Sequence, residues 1–366
     1  MQQKKRKMLE SIGWEEFHKL PLAQKAPYFV QDSGRPFHCV ISQQFNRESL
    51  DSLCDLATRI RRIGKSKAGM DFLSNLLNNK RAMLYFTQPS TRTFLSFYSA
   101  CQILGIKPAE VRDPSISSEM KGETKEDTIR TFSSFFDLII MRTPMQDFAE
   151  NMAWLLSNTE RPIPVVNAGS GKDQHPTQAL LDIYTLVRSF EKRGGIDGKT
   201  VLFCGDLARG RTVRSLCGLL QQYNNVRMIF AAPDSLQIGD DILAQLKASG
   251  HEYELTADFK GKIPEADAIY MTRLQDEWDR KPGESSAGYN PEDYFFTGDD
   301  LARLGRNAVI MHPLPRRKEI STDCDNDSRA VYWRQMRNGM WIRAALIATI
   351  FCRDQEITQY YMLNNR

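Results

Sequence analysis

With 366 residues the chain is long enough for two domains, because single hydrophobic cores usually stop growing before this length. Its 41% hydrophobic and 26% charged residues are those of a soluble globular protein, which sets aside disordered and fibrous classes. Forty-nine basic against 45 acidic residues leave a formal charge of +4, too balanced to mark a nucleic-acid binder.

Seven cysteines, at 39, 54, 101, 204, 217, 324 and 352, show no C-x-x-C pair and no histidine at finger spacing. That scatter predicts buried thiols in a reducing compartment rather than disulfides or zinc. The apolar run Ala344–Phe351 is much too short to span a bilayer, and the basic start M-Q-Q-K-K-R-K lacks the apolar core of a signal peptide. A cytoplasmic enzyme is the expectation, with neither nucleic acid nor membrane as partner.

In chain order, residues 1–35 read as an appended helix or arm of unassigned role, and Phe37–Ser42 as a first strand. Apolar residues recur at helical spacing from Leu50 to Arg62. An alternation follows: strands at Ala82–Phe86, Leu138–Met141 and Val165–Asn167, with helices at Thr91–Leu104, Thr124–Phe136 and Phe148–Ser157. It resumes with strands at Val201–Cys204, Val226–Phe230, Ala268–Met271 and Ala308–Met311, and helices near Thr212–Tyr223 and Asp240–Ser249. Such alternation predicts an α/β protein of two doubly wound domains with mainly parallel sheets. The boundaries are 36–185, completed by a C-terminal helical segment 336–366, and 186–335, with a hinge near Pro176–Arg188. The apolar helix Met340–Arg353 is expected to pack on the first domain.

Parallel sheets bind ligands beyond the carboxyl ends of their strands, so the residues there carry the functional reading. Ser90-Thr91-Arg92-Thr93 opens a helix with three hydroxyls and a guanidinium, which makes a phosphate-sized anion site; a plain N-cap is the alternative. Arg142 ends the next strand, where an ion-pair role competes with ligand binding. A glycine-rich loop leads to His175-Pro176-Thr177-Gln178, placing His175 at a helix start and Gln178 one turn on. Later strand ends carry Gly205–Thr212, then Thr272-Arg273-Leu274-Gln275, then His312-Pro313-Leu314-Pro315-Arg316. Together these predict a cleft between the two domains, lined with cations and sized for a small polyanion, that takes two of the five histidines. Gly205–Thr212 has the outline of a nucleoside-triphosphate loop, but Arg211 stands where that loop needs lysine, and no dinucleotide fingerprint is present.

The ordered set resembles the aspartate/ornithine carbamoyltransferases over residues 36 to the C-terminus. Ser90-Thr91-Arg92-Thr93 resembles the carbamoyl phosphate loop, Lys121-Gly122-Glu123-Thr124 the mobile lysine loop, and His175-Pro176-Thr177-Gln178 the carbamoyl-binding histidine motif. Gly205-Asp206-Leu207, Gly210–Val213, Met271–Gln275 and Pro313 after His312 point to the aspartate branch. The resemblance implies transfer of a carbamoyl group from carbamoyl phosphate to L-aspartate, towards pyrimidines. Ser90, Thr91, Arg92 and Thr93 would hold the phosphate. Arg142, His175 and Thr93 would polarise the carbonyl, and Gln178 with the Pro313 and Leu314 carbonyls would orient the amide. Arg211, Arg273 and Gln275 would clamp the two carboxylates of aspartate, with Glu277 steadying Arg273. The family also implies a homotrimer in which Ser117 and Lys121 complete a neighbour's site, Lys121 serving both substrates, with no metal or cofactor. A regulatory subunit or a dihydroorotase is a further partner that this resemblance leaves open.

Two alternatives stand beside that reading: another amino-acid acceptor, and an inactive homologue that only binds. The family typically reads S-T-R-T-R-L-S-F-E where this chain reads S-T-R-T-F-L-S-F-Y. Phe94 and Tyr98, four residues apart on one helical face, replace a charged pair and are expected to keep a contact while changing its chemistry. Met120, Asp276 and Trp278 are further departures, the last two beside the amino-acid pocket.

Overall fold

A computed structural model describes residues 12–113, 122–171, 174–273 and 288–364. The chain divides into two units, Met1–Leu181 with Arg337–Arg366, and Asp182–Met336. Each carries an α/β fold on a parallel sheet.

In the first unit the strands are β1 (Arg81–Phe86), β2 (Lys107–Val111), β3 (Leu138–Arg142) and β4 (Val165–Asn167), in spatial order β2-β1-β3-β4. Helices α1 (Trp14–Lys19), α2 (Leu22–Lys25), α3 (Arg47–Ile63), α4 (Lys67–Asn75), α5 (Thr91–Ile103), α6 (Lys125–Phe135) and α7 (Phe148–Ser157) accompany them. Strands β1 and β3 are covered on both faces and apolar throughout their interiors, which is why they are legible as runs. By contrast β2, K-P-A-E-V, is a half-exposed edge strand carrying a proline and gives no such run.

The expected strand Phe37–Ser42 does not form. Only Cys39 bridges β4, its N–H donating to Val165 O (2.9 Å) and its carbonyl accepting from Asn167 N–H (2.8 Å). The next two N–H groups, of Val40 and Ile41, donate to Gln44 Oε1 instead, at 2.9 and 3.3 Å. A side chain thus takes the donors that a ladder would need.

Residues 12–35 are woven into the first unit's core, where Ile12, Phe17 and Phe29 are buried with Met83, Ile139 and Val165. Beside them Lys25 Nζ donates to Glu150 Oε1 at 2.5 Å, with both side chains buried.

His38 is fully buried. Its Nδ1 accepts from Val165 N–H (3.0 Å), so the proton resides on Nε2, which donates to Ser157 Oγ (2.8 Å). Burial drives its pKa down to about 3. An unfolded histidine binds a proton near pH 6.5 and the folded one does not, so stability must fall as pH drops through that value. We expect about 2 kcal/mol of His38-dependent loss between pH 7 and pH 5. Urea unfolding of the wild type and His38→Asn at both pH values checks it; equal slopes would contradict the assignment.

In the second unit the strands are β5 (Thr200–Cys204), β6 (Arg227–Ala231), β7 (Tyr253–Thr256), β8 (Ala268–Met271) and β9 (Val309–Met311), ordered β7-β6-β5-β8-β9. Again the half-exposed edge strand β7 is the one that apolar periodicity does not flag. Helix α8 (Pro176–Phe190) is continuous where a hinge was expected, and the unit boundary falls within it. Then come α9 (Arg211–Leu220), α10 (Asp240–Ala248), α11 (Phe259–Lys262), α12 (Tyr332–Ile350) and α13 (Asp354–Asn364). Helix α12 starts eight residues before Met340, and its segment from Arg337 belongs to the first unit. Six of the seven cysteines are buried and all are free; burial holds Cys101 at about 12 and Cys324 at about 11. Among the described residues no helix is long and apolar enough to cross a membrane.

Candidate active site

In the first unit the site grows from the carboxyl edge of β1, β3 and β4. Phe86 pairs in register with Arg142, and Gln88 N–H donates to Arg142 O (3.2 Å), so the chain after β1 stays beside the end of β3. Ser90 then occupies the N-cap position of α5, yet its side chain makes no capping hydrogen bond. Asn46, Ser66 and Thr124 do cap their helices, each accepting a backbone N–H. No acidic residue lies in the first turn of α5. The helix start therefore keeps its backbone donors and its positive end for an anion, with Arg92 in the first turn and Thr93 buried beneath it. The plain N-cap alternative does not describe Ser90.

Arg142 and His175 meet around Gly169. Arg142, buried at the end of β3, donates from Nη1 to Ala168 O (3.1 Å). Gly169 has φ +101°, and a Cβ there would lie 2.5 Å from Arg142 Nη1 and 2.8 Å from His175 Cδ2. Only glycine fits a backbone so conformed and so closely approached. The turn is held by Asn167, whose Oδ1 accepts from Gly169 N–H and Ser170 N–H, both at 2.8 Å. Gln174 ties the approach to His175 back to the 42–43 segment, accepting from Ser42 N–H (2.6 Å) and donating to Gln43 Oε1 (2.8 Å). His175 precedes α8 and accepts from Gln178 N–H through its carbonyl (2.9 Å); His175, Thr177 and Gln178 are all buried.

Phe94 is buried edge-on against Phe86, with ring centroids 5.4 Å apart, and touches Tyr98 at 5.8 Å. The Arg112 guanidinium lies over its ring, 4.7 Å from the centroid. The aromatic pair thus keeps the contact expected of it, with Phe94 packed against Phe86 and under the Arg112 guanidinium.

In the second unit β5 and β8 are adjacent and parallel, with Cys204 opposite Met271. Gly205, at φ +116°, passes so close to Thr272 that a Cβ would lie 2.4 Å from its carbonyl oxygen. Thr272 N–H and Oγ–H both donate to Cys204 O, at 2.7 and 2.9 Å. The buried Asp206 accepts from Arg209 N–H (3.0 Å), winding the loop so that Arg211 becomes the first residue of α9. Arg211, at the start of the helix after β5, and Arg273, two residues past β8, thus follow neighbouring strands at the same sheet edge.

After β9, Leu314 holds a left-handed φ of 56° before a cis Pro315. Its N–H donates to His312 Nδ1 (2.7 Å), so His312 Nε2 carries the proton and donates to Glu319 Oε1 (2.8 Å). Burial raises the Glu319 pKa, but the hydrogen bonds from His312 and from Arg317 N–H outweigh it and leave the carboxyl below its ordinary value. His312 thus shapes the loop from inside. Arg316 is taken up by a two-pronged pair with Asp325 and stacks on Tyr332 and Trp333.

Ser117, Lys121, Gln275 and Glu277 lie outside the described residues. Sequence reasoning missed Asn167, Gln174 and Glu319, which orient other groups rather than present a reactive one. The glycine-rich loop is legible in the sequence, but nothing local to it tells that Gly169 clears space for two side chains.

Family models match both units: "Aspartate/ornithine carbamoyltransferase, carbamoyl-P binding domain" over residues 38–188, and "Asp/Orn binding domain" over residues 197–350. Aspartate carbamoyltransferase 1, chloroplastic, of Pisum sativum is 38% identical over 351 residues, covering 94% of this chain and 85% of the pea protein. The aspartate carbamoyltransferase catalytic subunit of Photobacterium profundum is 38% identical over 314 residues, 86% of this chain and 96% of its own. Among solved structures, the catalytic subunit of M. jannaschii aspartate transcarbamoylase superposes with a TM-score of 0.76 at 33% identity, covering 87% of this chain and 99% of that one. The Trypanosoma cruzi enzyme in complex with N-(phosphonacetyl)-L-aspartic acid gives a TM-score of 0.75 at 35% identity, covering 87% and 97%. The chain belongs to the aspartate/ornithine carbamoyltransferase family.

Proposed function

We propose that this protein is an enzyme that transfers the carbamoyl group of carbamoyl phosphate to the amine of L-aspartate, giving N-carbamoyl-L-aspartate and phosphate. The observation that carries the reading is the meeting of Arg142 and His175 around Gly169, with Arg142 O held by Gln88 N–H on the segment that leads to a helix start with an uncapped, acid-free first turn. Two fixed donors at one point suit a carbonyl oxygen that becomes an oxyanion. The aspartate carbamoyltransferases among the relatives support the acceptor.

In this reading Ser90, Thr91, Arg92 and Thr93 hold the phosphate, while Arg142, His175 and Thr93 stabilise the developing oxyanion. Gln178 and the Pro313 and Leu314 carbonyls orient the carbamoyl amide, and Arg211, Arg273 and Gln275 hold the two carboxylates of aspartate. The aspartate amine forms the new C–N bond, the C–O bond to phosphate breaks, and the departing phosphate takes the amine proton. Positioning and charge stabilisation then supply the catalysis. Binding of N-(phosphonacetyl)-L-aspartic acid, which joins a phosphonate to the aspartate dicarboxylate, tests both halves by calorimetry. Affinity should fall at least about a hundredfold in Arg92→Ala and in Arg273→Ala. Loss in one variant alone would restrict the reading to that half.

Ser117 and Lys121 are proposed to act in a neighbour's site within a homotrimer, with Lys121 contacting both substrates. Mixing inactive Lys121→Ala with inactive Arg142→Ala should restore activity, since hybrid assemblies contain sites lacking neither residue; no recovery in verified hybrids would refute sharing. The compartment we propose is the cytoplasm, supported by the seven free thiols.

Phe94 and Tyr98 are proposed as a packing pair. Phe94→Arg with Tyr98→Glu should leave the KM for carbamoyl phosphate within about twofold while costing about 2 kcal/mol of stability, because the new guanidinium is buried beside Phe86 and Arg112. A large change in KM with stability intact would instead assign the pair to substrate handling.

A further inference from the structure

The carboxylate of Asp182 is fully buried in the second unit and has no part in the chemistry above. It accepts hydrogen bonds from Tyr270 O–H at Oδ2 (2.8 Å) and from Gln335 Nε2 at Oδ1 (2.7 Å). A carboxylate facing donors can only accept, so Gln335 must turn its NH2 towards Asp182 and its carbonyl oxygen the other way. That oxygen accepts the backbone N–H of His312 at 2.9 Å. From His312 the direction continues, since Nδ1 accepts from Leu314 N–H at 2.7 Å and Nε2–H is committed to Glu319 at 2.8 Å. A directed series therefore runs from Asp182 to the backbone of Leu314, every member buried or part-buried. Tyr270 brings a second element to the same carboxylate, and it lies three residues before Arg273 on the strand that leads there.

While Asp182 is a carboxylate and His312 N–H a donor, the Gln335 amide has one permitted polarity, so a change at either of its ends disturbs the other; only the Tyr270 hydroxyl can turn to accept. A packing role needs shape and volume only, whereas this arrangement depends on the order of donors and acceptors. We infer that Asp182 is a positioning residue, which sets through Gln335 and His312 the backbone of Pro313 and Leu314. Its catalytic consequence rests on the reading of those two carbonyls as orienting the carbamoyl amide.

Polarity can be reversed without changing shape. Asp182→Asn can keep an oxygen for Gln335 only by turning its NH2 to the Tyr270 hydroxyl, which must rotate to accept it, whereas Gln335→Glu sets a carboxylate against a carboxylate. In the double variant the asparagine NH2 donates to the new glutamate and its oxygen still accepts from Tyr270. The other glutamate oxygen still accepts from His312 N–H. The readouts are backbone amide exchange over residues 310–320 by mass spectrometry, and kcat and KM for carbamoyl transfer to L-aspartate. Gln335→Glu should raise exchange at 312–314 and lower kcat about thirtyfold with KM little changed, Asp182→Asn should do so less because Tyr270 can turn, and the double variant should return both to within about threefold. A double variant no better than Gln335→Glu alone, or a folded Gln335→Glu with wild-type exchange, overturns the inference. Raised exchange with unchanged kcat would keep the series and place the failure in the reading of Pro313 and Leu314. If the single variants do not fold, Tyr270→Phe removes one donor while keeping the ring. It is expected to raise exchange at 312–314 modestly, and unchanged exchange there counts against the proposal.

Discussion

Gly169→Ala is expected to lower kcat for carbamoyl transfer about a hundredfold in a protein that still folds. The added methyl would stand 2.5 Å from Arg142 Nη1 and 2.8 Å from His175 Cδ2, so one or both of these side chains must move. Neither moves freely: Arg142 is anchored to Ala168 O, and His175 is followed at once by Pro176 and helix α8. Displacement near 1 Å is enough to forfeit about two orders of magnitude in an oriented site. The backbone at φ +101° also disfavours alanine, and that cost must be separated from the displacement. Gly34→Ala serves as the control, because Gly34 has φ +80° and a methyl added there would meet nothing within 4 Å. It should lose stability and keep its kcat. Steady-state kinetics and thermal unfolding of both variants decide the matter, and equal kcat values would remove Gly169 from the site.

Lys25→Met should destabilise the protein by about 3 kcal/mol, the largest stability effect expected outside the glycine turns. The change leaves Glu150 buried without the ammonium that now lies 2.5 Å away. Burial already holds the Glu150 pKa above its ordinary value despite Lys25, so the pair is a poor source of net stability and costly to break. His18, 3.7 Å from the same carboxylate, softens the loss when protonated. The defect should shrink at lower pH, where the stranded carboxyl takes up a proton and folding no longer buries a charge. Lys25→Met with Glu150→Leu should recover to within about 1 kcal/mol of wild type. Urea unfolding of the three proteins at pH 8 and pH 5.5 tests both statements; additive losses would show that the two residues do not act as a pair.

What could be read in advance follows physical lines. Strands β1, β3, β5, β6 and β8 are interior and apolar, so composition alone marks them, whereas edge strands β2 and β7 carry Lys, Pro and Glu and resemble loops. The error at Phe37–Ser42 has a different source. Those residues do suit a strand, but Gln44 competes for the backbone donors, and a side chain three or four residues on leaves no trace in periodicity. Short motifs named the chemistry because Ser90–Thr93 and His175–Gln178 concentrate their groups within one helical turn. The supports of those groups are distant in sequence: Gly169 matters through Arg142, and Asp182 through Gln335, 153 positions away. Such partners become visible only once the chain is folded.

The most direct test of the proposed reaction is carbamoyl phosphate-dependent carbamoylation by the purified protein, with L-aspartate and L-ornithine as acceptors in parallel. We expect turnover with L-aspartate, none with L-ornithine, and loss of turnover in Arg92→Ala and in Arg273→Ala. Turnover with L-ornithine, or phosphate release that persists in both variants, would contradict it.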